Sequence, residues 1–258
     1  MEKMIDSQGL VGDDGLILSS TSPRTVSLLI VAVKLEVVKK SFLYTKHPLV
    51  IKLPRGGTMP RNGKKLLWKP GTMLYPVPAV LVSCGEHGGV RNIITIAWTG
   101  VVCTDPAMCS ISIRPQRFSY ELIRQNGEFA INLTTAAMAR AVDWCGVKSG
   151  RDFDKFREMK LTPLAAKFIR PPLVAESPVN LECRVKEVRE LGSHHLFIAE
   201  ILAVHADPAY FDLKTGFFNL AAAEPLCYCH GHYYCLGKHI GKFGFSVEKK
   251  KKKRPHRK

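Results

Sequence analysis

The chain has no stretch apolar enough to cross a bilayer as a helix. Its most apolar early run, Val26–Val33, stops after eight residues at Lys34, and a spanning helix needs about 20. That run does not read as a secretory leader either, because Glu36, Lys39 and Lys40 come after it without a small-residue cleavage site. No G-x-G-x-x-G follows a strand pattern and no G-x-x-x-x-G-K-[ST] occurs, so a dinucleotide fold and a P-loop lack support. Without H-E-x-x-H or G-x-S-x-G, zincin and α/β-hydrolase chemistry have no ligands or nucleophile to stand on. Acid is also scarce, with 22 Asp and Glu against 38 Lys and Arg and a formal net charge of +16. Eight of the basic residues lie in Lys249–Lys258, a stretch with no acid at all. Half the excess charge is therefore terminal, and residues 248–258 read as a basic solvated tail rather than a nucleic-acid surface.

The chain as a whole is ordinary in composition: 258 residues, 46% hydrophobic and 23% charged, enough for one sizeable core. Eight cysteines could suggest a disulfide scaffold, but a chain this long and this rich in apolar strands does not need one. Five of them sit in apolar segments and read as reduced core thiols, which together with the absent leader points to the cytoplasm. Residues 1–58 differ in composition from the rest of the chain and read as a poorly ordered extension, with Met59 a candidate natural start. From Tyr75 onward strands dominate. Short β-branched or alternating runs occur at Ala79–Cys84, Ile93–Trp98, Met108–Ile113 and Phe129–Leu133. A long hairpin comes next, Asn180–Leu191 and His194–His205 joined by Gly192–Ser193. In it Cys183, Val185, Phe197, Ala199 and Ile201 occupy alternating positions. Three short helices are expected, Ser119–Asn126 ended by Gly127, Ala136–Cys145 ended by Gly146, and Asp152–Met159. Many short strands, few helices and no βαβ rhythm predict a mainly β domain over 59–247, an antiparallel Greek-key split β-barrel.

One end of such a barrel carries residues suited to a phosphorylated aromatic ligand. Asn92-Ile93-Ile94-Thr95-Ile96-Ala97-Trp98-Thr99-Gly100 finishes in small and polar residues, leaving its backbone open to a polar heterocycle. Ser112-Ile113-Arg114-Pro115-Gln116-Arg117-Phe118-Ser119 leads into a helix, whose first N–H groups and partial positive charge suit a phosphate. Arg117 and Ser119 add hydrogen bonds there, and Lys155 offers a second cation. Singly, each has a plainer reading: Ser119 as a helix cap, Arg117 as a solvated charge, Trp98 as core.

The order of these elements resembles the flavin reductase-like family of FMN-binding split barrels, which includes the flavoredoxins. The similarity runs from about Trp68 to about Gly241. Besides the strand and loop just described, it includes Val80-Leu81-Val82-Ser83-Cys84 after a Pro-x-Pro entry, and Phe129-Ala130-Ile131-Asn132-Leu133. Ser149-Gly150-x-x-x-Asp154-Lys155-Phe156 and Gly231-His232-Tyr233-Tyr234-x-Leu236-Gly237 complete it. The resemblance implies an FMN cofactor lined by Asn92, Thr95 and Trp98, with Ala97 and Thr99 beside them. It makes Arg117 and Ser119 the phosphate pair, Lys155 the lysine that reaches the flavin or its phosphate, and His194 a histidine near the ring. It further implies a homodimer, NAD(P)H as electron donor, and a flavin reductase, with a flavoredoxin-type electron carrier as the alternative. No acid or base catalyst is assigned, since hydride passes directly between nicotinamide and flavin.

Cys227-Tyr228-Cys229-His230-Gly231-His232-Tyr233-Tyr234-Cys235 departs from this pattern in its thiols and imidazoles. These are residue types that zinc or iron takes, yet the segment lacks C-x-x-C pairs and its alternate residues point to opposite faces of a strand. Cysteines packed beside an aromatic rim are the expected reading, and no metal site is assigned.

Overall fold

The computed structural model describes Lys65, Leu67 and residues 69–248. The expected extension over 1–58, the Met59 start and the tail beyond Glu248 lie outside the described residues. In chain order the strands are β1 (Val77–Pro78), β2 (Val80–Gly85), β3 (Arg91–Ile96), β4 (Thr99–Thr104), β5 (Ala107–Ile113), β6 (Glu128–Leu133), β7 (Pro163–Leu164) and β8 (Leu173–Val174). The long hairpin β9 (Val179–Glu190) and β10 (His195–Ala206) comes next, then β11 (Leu226–Cys229) and β12 (His232–Cys235). Helices α1 (Phe118–Asn126), α2 (Ala139–Val147) and α3 (Lys155–Glu158) lie between strands.

Seven strands form one antiparallel sheet in the order β3-β2-β6-β9-β10-β5-β4. Its two edges belong to a single run of chain. Residues 91–96 pair with β2, and after a break at Ala97–Trp98 residues 99–104 pair with β5. The Ser112 N–H donates to the Trp98 carbonyl (2.9 Å) across that break. One strand thus serves both edges, which closes the sheet into a barrel and leaves less open edge for aggregation.

The alternation of β2 shows how the core divides. Val80, Val82 and Cys84 face the barrel interior with Ile94, Ile96, Ile111, Ile113, Phe129, Cys183, Phe197 and Ala199. Ala79 and Leu81 face outward, under Ala141, Val142 and Cys145 of α2. Both faces of β2 are covered, so the strand reads as continuously apolar. Helix α1 presses Tyr120, Leu122 and Ile123 into the interior cluster and plugs one end of the barrel. It ends as expected at Gly127, whose φ of 66° is left-handed and whose N–H donates to the Ile123 carbonyl (2.8 Å).

Two helix expectations are corrected. The second helix runs on to Val147, so Gly146 lies inside it instead of capping it. A Cβ at Gly146 would stand 3.3 Å from the Thr95 Cβ, so the missing side chain serves close approach to β3. The third helix is only Lys155–Glu158, because the Asp154 carboxylate accepts from the Arg157 N–H (3.2 Å) and so caps it late. Strand β4, the short strands β1, β7 and β8, and the hairpin β11–β12 add to the expected strands.

A buried amide ties the barrel to the segment outside it. Asn132 donates to the Leu81 carbonyl and the Ser83 hydroxyl, both at 3.0 Å. Its own oxygen accepts from the Val174 N–H (3.0 Å) and the Asn180 amide (2.8 Å). Every polar atom of this fully buried side chain is satisfied, and truncating it strands several partners in an apolar layer. Asn132→Ala is expected to lose about 3 kcal/mol of unfolding free energy, measured by urea denaturation; a loss below about 0.5 kcal/mol would contradict this role.

Candidate functional site

The interruption between β3 and β4 opens a cleft of about 240 Å³ at the mouth of the barrel. Its floor is the strand run Ile94–Trp98, one wall is Ser112–Arg114 with Arg117, and His194, Gly146 and Tyr228 complete it. A second hollow continues from it past Thr95, Ala97, Gly146 and Tyr228 to Asp143 and Tyr233. Three strands, two loops and the end of α2 therefore converge where the sheet changes partners.

Local sequence explains each placement. The Thr95 hydroxyl donates to the Val142 carbonyl of α2, which holds the strand floor against the helix that Gly146 lets approach. Trp98 sits in the break, 40% exposed, with its ring 4.5 Å from the His194 ring and tilted by 41°. His194 belongs to the β9–β10 turn, where Gly192 takes a left-handed φ of 79°. Arg117 is the N-cap of α1 in extended conformation, and no side chain caps that helix. Among the described residues neither the Arg114 nor the Arg117 guanidinium has a carboxylate or hydrogen-bond partner. The mouth of the cleft is accordingly positive. Burial, then Arg114 and then Arg117, hold the His194 imidazole below its ordinary pKa.

Behind the cleft lies a second, buried layer. The Asn92 amide donates to the Ser119 hydroxyl (2.9 Å), and both residues are shielded from solvent. Lys155 is 4% exposed, and its ammonium donates to the Cys145 carbonyl at the end of α2 (2.8 Å). Burial pushes that ammonium down to about 8, against an opposing pull from Cys145 and with a further push from Arg117. Burial likewise raises the Cys84 thiol to about 12 and the Cys145 thiol to about 11, so both stay protonated.

Of the residues expected from sequence, Thr95, Ala97, Trp98, Arg117 and His194 line the cleft together. Asn92, Ser119 and Lys155 stand in the layer behind it. Thr99 is turned away, its hydroxyl donating to the Ser110 carbonyl (2.8 Å). Sequence reasoning did not assign the other lining residues to the site, Arg114, Gly146 and Tyr228 among them. Arg114 had a signal, since it precedes Pro115 in the same loop as Arg117. Tyr228 had none, because the β11–β12 hairpin reaches the cleft only through the fold.

That hairpin also accounts for the thiol-rich segment. Tyr228 and Tyr233 pair across it, rings 5.7 Å apart, and pack on the α2 side of the core. Cys227 and Cys229 alternate onto its other face. Among the described residues no three His, Cys, Asp or Glu side chains gather as a metal site, and all the cysteines are free.

The family model described as the flavin reductase like domain matches residues 72–237. The chain belongs to that family. Flavoredoxin of Desulfovibrio vulgaris (Miyazaki F) is 28% identical with a TM-score of 0.66, over 72% of this chain and all of that one. Flavoredoxin from Methanosarcina acetivorans is 26% identical with a TM-score of 0.65, over the same shares. An uncharacterized protein of Pyrococcus abyssi is 33% identical over 131 residues, 51% of this chain and 74% of its own. The split-barrel architecture and a flavin-binding redox role are thus properties of the family to which the chain belongs. Among the described residues no helix is long and apolar enough to cross a membrane.

Gly150 tests the buried layer. A Cβ there would collide with the Asn92 amide group, which is packed on all sides. Gly150→Ala is expected to cost about 1–3 kcal/mol of stability by breaking the Asn92–Ser119 bond, read as a lowered thermal midpoint. An unchanged midpoint would show that Asn92 is not held there.

Proposed function

We propose that the cleft binds FMN and that the protein passes electrons between NAD(P)H and that flavin. The observation that carries this reading is the pairing, in one cleft of a flavin reductase-like chain, of a half-exposed tryptophan with two guanidiniums that have no partner among the described residues. The donor set fits a phosphorylated aromatic cofactor. Arg114, Arg117 and the uncapped first N–H groups of α1 match a phosphate monoester. Thr95, Ala97 and Trp98 offer backbone and an aromatic surface to a planar ring, and Tyr228 borders its far side. Asn92 and Ser119 brace the start of α1 from behind, and Lys155, held on the Cys145 carbonyl of α2, adds a buried cation there. A flavin held there supplies two-electron redox chemistry, while the chain supplies orientation, charge and shelter from water.

In this reading the working unit is the 59–247 domain, a homodimer in the cytoplasm. Val101 and Val102 on the edge strand β4 are exposed, and they give a second copy an apolar contact. Free cysteines suit a reducing compartment.

The test is a visible absorption spectrum of freshly purified protein, followed by anaerobic NADH and then NADPH. Flavin bands that bleach with either nucleotide are expected, and light scattering should give twice the 28.7 kDa chain mass. Bands that persist with both nucleotides would replace the reductase with a carrier fed by another protein, as in a flavoredoxin. No bands even after added FMN would overturn the flavin reading itself.

A further inference from the structure

The cleft holds three basic side chains, but only two carry a permanent charge. His194 stands between the two functional ends of the cleft. Its ring lies against Trp98 at 4.5 Å, on the ring side, and shares the cavity wall with Arg114 and Arg117, on the phosphate side. We propose that His194 is the third cation of the anion site, taking up its proton only when the phosphate ester of FMN occupies Arg114 and Arg117. The inference rests on the FMN reading and adds the charge state of one residue to it.

Burial is the first obstacle to a charged imidazole, and the charges that add to it are those of Arg114 and then Arg117, from the β5–α1 loop, both of which oppose protonation. The β9–β10 turn offers only the Ser193 hydroxyl, 3.0 Å from the His194 Nδ1. Glu190 of the same hairpin is engaged elsewhere, 3.7 Å from Arg124 and 3.9 Å from the His195 Nδ1. Tyr120 and Arg124 of α1 are bonded to each other, and Tyr120 also to His195 (2.8 Å each). Tyr228 lines the cavity as well. No carboxylate among the described residues therefore supports a charged His194.

A dianionic phosphate on the two arginines cancels the repulsion and places negative charge near the ring. Burial still opposes the proton, but the larger change is the reversal of sign in the local field. The proton comes from solvent and binds the imidazole nitrogen; no bond to the ligand forms or breaks. Linkage makes the effect reciprocal: a rise in the proton affinity of His194 on phosphate binding means that phosphate also binds more tightly at low pH. Anion affinity should thus fall as pH rises through the His194 midpoint. The residue beside the ring would then be positive only when the ring's own phosphate is seated, which distinguishes FMN from unphosphorylated riboflavin.

The experiment follows the His194 ring carbon–proton resonance by NMR through a pH titration, with His194→Gln identifying the signal. It is run in chloride, in sulfate at equal ionic strength, with FMN and with riboflavin; sulfate has no titration of its own near neutrality. The midpoint is expected below the ordinary histidine value in chloride and about one pH unit higher with sulfate or FMN. Riboflavin should leave it where chloride does. Arg114→Gln with Arg117→Gln should raise the chloride midpoint and abolish the response to sulfate. A midpoint unmoved by FMN whose binding is evident in its visible spectrum would overturn the inference while leaving the FMN reading intact. Failure of FMN to bind at all would instead remove the reading on which it rests.

Discussion

A barrel closed by one strand that serves both sheet edges has to change partners somewhere, and the regular ladder is interrupted at the change. In this chain the change falls at Ala97–Trp98, between pairing with β2 and pairing with β5. Nearly everything about the site stems from that constraint. The exposed face of Trp98, the small side chain of Ala97 and the cleft between the β5–α1 loop and the β9–β10 turn all lie at this break. The flanking strands cannot relax to cover it, because Val80, Val82, Ile111 and Phe197 lock them through the interior, and deforming a close-packed core is costly.

Charge is arranged around this break in two layers. The outer layer, Arg114 and Arg117, is exposed and has no ion pair among the described residues, so an arriving anion breaks none of the ion pairs seen there. The inner layer, Lys155 with Asn92 and Ser119, is dry and hydrogen-bonded. A lysine ammonium in such surroundings is held near the edge of deprotonation, at about 8. A negative ligand nearby would favour its charged form, as it would for His194. The preference for an anion is thus distributed across exposed and buried cations, each poised differently by its environment.

Much of the fold was legible in the sequence, for reasons that differ by element. The β9–β10 hairpin declared itself through alternation around Gly192–Ser193, and α1 through the glycine that ends it. Strand β4 was not legible, since Thr99-Gly100-Val101-Val102 faces solvent on both sides and carries no apolar period. Gly146 looked like a helix terminator because glycine usually is one; its role in meeting Thr95 is visible only once β3 and α2 are packed. At the site, the loop before α1 announced Arg117 by its place ahead of a helix. Asn92 and Ser119 looked like ligand contacts but are turned toward each other, a pairing across 27 residues that no local pattern encodes. Tyr228 arrives from the far end of the chain, and nothing near it in sequence points to the cleft.

The measurement that bears most directly on this account is the affinity of the flavin-free protein for FMN and for riboflavin, read by quenching of flavin fluorescence. If phosphate is recognised by Arg114, Arg117 and the end of α1, FMN should bind at least about 100-fold tighter. Two charge-assisted hydrogen bonds of about 1.5–3 kcal/mol each account for such a difference. Arg114→Ala with Arg117→Ala should bring FMN down to the riboflavin value. Equal affinity of the unaltered protein for the two flavins would contradict the account, because the positive mouth of the cleft would then have no part in binding.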